Sequence, residues 1–176
     1  SYEMTHNPLI VFVSYGLYFF ILLHAVMGIA IARKNKAARA QGYVMKSTRD
    51  TSWASRHMAL MGLLIFAFLV MHMGDFWLKV QLGQLDVVTY EGFPHPVDDL
   101  YSRVMTAFSI WWIVLLYIIG QIALFFHLKH GFYLAFQDIG WSHPKYTPII
   151  KGVGLAYSIL IPFGFAFLPL YVFFTR

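Results

Sequence analysis

The chain contains no cysteine. That excludes disulfides, thiolate-held zinc, iron–sulfur clusters ligated by this chain, and haem attached through C-x-x-C-H. Any metal would have to rest on histidine or carboxylate. Charge is also scarce: 12% of residues are Asp, Glu, Lys or Arg, against about 25% in soluble domains. Hydrophobic residues make up 59% of the 176, and the mean hydropathy is +0.63. A soluble fold with this balance would be covered in apolar surface, so a bilayer is its natural solvent. Ser1–Asn7 holds no Lys or Arg, so no signal peptide is expected there. The absent initiator Met leads us to expect the true N-terminus upstream.

What is present is a set of apolar runs. A span needs about 20 residues to cross roughly 30 Å of hydrocarbon. Four runs qualify, at about residues 8–32, 58–78, 104–126 and 149–174. Lipid offers no partner to an open backbone group, so each must be a helix. The expected fold is all-α: an integral membrane helical bundle with four visible transmembrane helices, forming one domain over residues 1–176.

Between the first two spans lie Arg33, Lys34, Lys36, Arg39, Lys46, Arg49 and Arg56 against a single Asp50, and Lys129, Lys145 and Lys151 follow the third. Between the second and third spans are Asp86, Glu91, Asp98 and Asp99, with Arg103 at the end. The bias of Lys and Arg toward the cytoplasm puts the basic segments inside and both ends of the chain outside. Basic charge confined to short inner loops speaks for membrane orientation or a docked partner, and against nucleic acid.

Helical rise then sets the depth of each histidine. His24 lies roughly 13 Å from the inner boundary, with His127 at the inner end of the third span. His72 lies roughly 24 Å up from the inner side. His24 and His127 therefore pair in depth, and His72 has no partner at its level. Ionisable groups inside a membrane helix are expensive and call for a functional reading. A neutral imidazole offers one lone pair to iron and one N–H to a neighbour. Two imidazoles on opposite faces of a porphyrin would make a haem b site with both axial positions filled. In both His24–Gly28 and His127–Gly131 a glycine follows four residues after histidine, on the same helical face, leaving flat space beside the ring. Gly74 after His72 is a weaker version.

Each residue has a plainer alternative. His24 and His72 could be satisfied by helix carbonyls, and His127 is close enough to the headgroups to be cheap there. Arg56 and His57 are either interfacial residues or holders of haem propionates. His130 is read as a surface or partner contact. Asp75 is either a helix-end carboxylate reaching headgroups or Lys79, or a proton acceptor beside a quinone pocket; Glu3 is equally eligible.

Several stretches together resemble a known family. They are Asn7-Pro-Leu-Ile, Leu23-His-Ala-Val-Met-Gly, Thr51-Ser-Trp-Ala-Ser-Arg56, Val70-Met-His-Met-Gly-Asp-Phe-Trp77, the run from Phe126 to Gly140, and Ser142-His-Pro-Lys-Tyr-Thr-Pro148. They are similar to the cytochrome b558 membrane anchor of succinate dehydrogenase and fumarate reductase, in its single-polypeptide, di-haem form, and the likeness covers almost the whole chain. The resemblance implies five helices, of which these spans would be the second to fifth, the first being expected upstream of Ser1. It implies that His24 and His127 hold the inner haem b and that His72 holds the outer one with a histidine from the absent helix. It also implies a flavoprotein subunit and an iron–sulfur subunit docked on the cytoplasmic face, and menaquinone or another quinone as the membrane substrate. Such a chain belongs to the respiratory chain of a bacterial cytoplasmic membrane and is not itself the catalyst for succinate. Three rivals stay open: a quinol:fumarate reductase anchor, a haem b subunit of a quinone-linked hydrogenase or formate dehydrogenase, and a haem-free channel or transporter component. A transporter would usually show broken helices or inverted repeats.

Overall fold

In a computed structural model the described residues are 6–38, 53–92 and 94–176. Most of the described backbone is helical, and among the described residues four helices are long and apolar enough to cross a membrane: Pro8–Ala37, Met58–Gln81, Trp111–Asp138 and Thr147–Thr175. The expected all-α membrane architecture is therefore observed. The chain divides into two compact units, one comprising residues 1–46 and 73–103 and the other residues 47–72 and 104–176.

In the first unit, helix α1 (Pro8–Ala37) starts where Asn7 caps it, its Oδ1 accepting from the backbone N–H of Leu9 at 3.0 Å and Ile10 at 3.4 Å. Pro8 at the first helical position has no N–H to leave orphaned. Lys34 and Lys36 in the last turn complement the negative helix end. No residue of α1 is buried. Also here are a π-helical turn (Met73–Trp77) and helix α4 (Leu78–Gln81). Tyr18 of α1 meets Trp77 edge-on at 5.8 Å. Gly83, at φ +60°, ends α4: Gly83 N–H donates to Val80 O and Gln84 N–H to Lys79 O. This is a Schellman cap, whose left-handed residue favours glycine. A short antiparallel ribbon follows, β1 (Val87–Val88) against β2 (Val97–Asp98), with Val87 opposite Asp98.

The second unit is built around helix α6 (Trp111–Asp138), which packs against α3 (Met58–His72) on one side and α7 (Thr147–Thr175) on another. A short turn of helix, α2 (Trp53–Arg56), precedes α3. Small residues let the helices approach, as membrane packing requires. A Cβ on Gly120 would lie 2.8 Å from the Phe68 ring, and one on Gly154 would lie 2.6 Å from the Phe132 ring. Pro162 and Pro169 are buried within α7 and remove the donors that Ser158 O and Phe165 O would otherwise meet.

The third run departs from its expected bounds of 104–126. Helix α5 (Leu100–Phe108) ends, Ile110 is extended at φ −98°, ψ 110°, and α6 begins anew at Trp111. The Ser109 hydroxyl donates to Thr106 O at 2.8 Å and competes with the helical ladder there. At its other end α6 continues to Asp138, so His127, Lys129 and His130 are helical rather than at a helix end or in a loop.

Candidate functional site

The histidines read from the sequence fall in both units. His24 is on the exposed surface of α1 in the first unit; His72 and His127 are partly buried in the second. Helices α3 and α6 run antiparallel in a constant register: Gly62 against His127, Phe68 against Gly120, His72 against Tyr117. Ten residues separate the first and last of these contacts on each helix, so the two histidines stand at levels about 15 Å apart along the pair.

At one level, His72 Nδ1 is 3.2 Å from the Tyr117 hydroxyl. Phe68 stacks on the His72 ring at 5.8 Å and 28°, and Tyr117 stands edge-on to Phe68 at 5.1 Å. Phe108 closes on Tyr117 at 4.8 Å. Tyr117 is only 5% exposed, which leaves its phenol few orientations. When Nδ1–H donates to Tyr117, Nε2 carries the ring lone pair, the form a histidine takes when its other nitrogen is held by a partner. Sequence reading missed Tyr117: it is 45 residues from His72, in a span already rich in aromatics.

At the other level the His127 ring lies against α3, its Cε1 3.7 Å from where a Gly62 Cβ would be. Nearby, Trp53 packs on Phe126 at 5.2 Å and stacks on His57 at 4.5 Å, while His57 Nδ1 is 2.9 Å from Trp53 O. His57 is thus engaged with α2, and Arg56 beside it is exposed. A Cβ at Gly28, Gly74 or Gly131 would meet nothing within 4 Å. Packing inside the chain does not demand glycine at these three positions.

Asp75 lies in the π turn and is engaged by two cations. Its Oδ1 accepts from Arg103 Nη2 and lies 3.3 Å from Lys79 Nζ, while Arg103 Nε donates to Asp75 O at 3.4 Å. Glu3 lies outside the described residues. Beyond the membrane span, Asp99 caps α5, accepting from Ser102 N–H at 3.0 Å. Hydrogen bonds from the Ser102 hydroxyl and then the Ser102 and Tyr101 amides hold its carboxyl below the usual carboxylate range, outweighing desolvation. Gln121, 4% exposed on α6, has an Oε1 with no hydrogen-bond partner among the described residues. Among those residues no three His, Cys, Asp or Glu side chains gather as a metal cluster; a bis-histidine haem needs only two.

No protein-family profile, curated protein or solved structure matches this chain.

Proposed function

We propose that the chain is the membrane anchor and haem b subunit of a succinate:quinone oxidoreductase in a bacterial cytoplasmic membrane. The observation that carries this reading is the pair of histidine levels on one helix couple: His127 seated against Gly62, and His72 held at Nδ1 by Tyr117. The motif likeness set out above supplies the family. The bare helix surfaces at Gly28 and Gly131 support it further.

In this reading His24 and His127 would hold one haem b, and His72 would hold a second together with a histidine other than those of this sequence. Haem b supplies a one-electron iron couple when bound. Tyr117 fixes the tautomer and ring plane of His72; Phe68 and Phe108 exclude water around it. Arg56, exposed at the end of α2, would hold a propionate, whereas His57 is engaged by Trp53. Asp75 and Arg103 stand beside the membrane end at which quinone would react. The flavoprotein and iron–sulfur subunits would dock on the cytoplasmic side, toward which the basic segment beginning Arg33-Lys34 is expected to face, and menaquinone or another quinone would be the membrane substrate. The transporter rival gains little from the break at Ser109–Ile110, because it precedes Trp111 and leaves the span Trp111–Asp138 whole.

A reduced-minus-oxidised spectrum of the purified protein tests the reading. We expect a sharp low-spin b-type band that His127→Ala and His24→Ala diminish together and His72→Ala diminishes separately. Absence of any such band would remove the haem assignment.

A further inference from the structure

The turn joining α6 to α7 forms a cleft of about 600 Å³ lined by Phe136, Gly140, Trp141, Ser142, His143, Tyr146, Ile149 and Ile150, and nothing in the haem reading uses it. Its shape follows from a second Schellman cap. Gly140, at φ +84°, lets Gly140 N–H donate to Gln137 O and Trp141 N–H to Phe136 O, and the Trp141 ring folds back to 6.0 Å from Phe136. The chain then turns at His143, whose carbonyl accepts from Tyr146 N–H and Thr147 N–H to start α7.

The lining is of two kinds. Trp141 (64% exposed), Tyr146 and Ile149 (63%) present bare apolar surface. The polar members are donors. His143 Nδ1 accepts from Lys145 N–H at 3.2 Å, so the ring hydrogen sits on Nε2, ready to donate. Lys145 and Lys151 flank the cleft, with Lys151 Nζ 4.5 Å over the Tyr133 ring and Lys145 Nζ 5.7 Å over Tyr146. Among the described residues neither lysine has an ion-pair partner, and Asp138 is the one carboxylate in the run from Phe126 to Val153.

Height along the bundle decides between lipid and protein as the occupant. Helix α6 has 28 residues, about 42 Å at 1.5 Å per residue, close to the roughly 40–45 Å of a bilayer with its headgroup regions, so with Trp111 at one interface Phe136 and the turn after it reach the other headgroup layer. There Trp and Tyr are the favoured interfacial residues, and lysines meet anionic headgroups at about 1 kcal/mol each. We propose that this cleft binds one anionic phospholipid, its phosphate taken by His143 Nε2, Lys145 and Lys151 and its upper acyl chain laid along Ile149, Ile150 and Phe136.

The test uses the whole chain with Trp141 as its single tryptophan, the other four changed to phenylalanine, in bilayers doped with brominated phosphatidylglycerol or brominated phosphatidylcholine. Trp141 quenching at equal mole fraction is expected to be at least threefold stronger for the glycerol lipid, and to fall to parity in Lys145→Gln/Lys151→Gln. Should the tryptophan replacements prevent folding, native mass spectrometry of the unaltered chain from mixed micelles gives the same answer: retained phosphatidylglycerol, lost in the double lysine variant. Equal quenching by both lipids, a preference that survives loss of both lysines, or red-shifted Trp141 emission shielded from both lipids would each overturn the proposal, the last pointing to a protein partner. None of these outcomes depends on haem.

Discussion

At the scale of single residues, the places where α6 meets its neighbours can be tested one side chain at a time. Gly120→Ala drives a Cβ into the base of the Phe68 ring, at 2.8 Å from Cγ, and overpacking of this kind costs about 1–3 kcal/mol; steric trap or denaturant unfolding in micelles would measure it. Gly164→Ala, where a Cβ meets nothing, is expected to be neutral in the same assay. Tyr117→Phe removes the partner of His72 Nδ1 and should cost about 0.5–1.5 kcal/mol. If His72 holds haem as proposed, the same change should shift the spectrum of that haem without abolishing it. Gln121→Leu is expected to be stabilising by about 1 kcal/mol, since it removes a buried acceptor that has no hydrogen-bond partner among the described residues; a lower unfolding midpoint would show that the amide holds a ligand or water. Gly120, Tyr117 and Gln121 could not be picked from the sequence, because each draws its meaning from a residue on another helix or from the lack of one among the described residues.

Elements differ in how far they could be read in advance. The four apolar runs were plain, because composition and length alone force a helix in lipid. Their ends were not: α6 runs to Asp138 instead of stopping near Phe126, because Lys129 and His130 still have helical neighbours to pack on and nothing before Gly140 breaks the ladder. The gap between α5 and α6 contains neither Gly nor Pro, so no local signal announced it. Helix α5 yields a pH prediction. Asp99 has its pKa lowered by the Ser102 bonds, so its capping is fully present above the unfolded carboxylate value of about 3.9 and fades as pH falls through the lower folded value. The hydrogen-exchange protection of Ser102 N–H should therefore drop over that acidic window, and Asp99→Asn should flatten the dependence while keeping the cap.

For the molecule as a whole, composition and run length disclosed the solvent, and the partners of His72 and Asp75 were left to be found. His72 looked solitary because its neighbour is a phenol, not an imidazole; Asp75 looked available because Arg103 is 28 residues away. Arg103→Ala would leave Asp75 with Lys79 alone and is expected to loosen the end of the π turn, seen as faster amide exchange at Trp77 and Leu78. The contacts His72–Tyr117, Phe68–Gly120 and Gly62–His127 all lie along one rod, α6. Tyr117 and His127 are thus carried by one helix, so any rotation of α6 would move the hydroxyl that meets His72 and the His127 ring in concert, and the Phe68 ring packed on Gly120 opposes such a rotation.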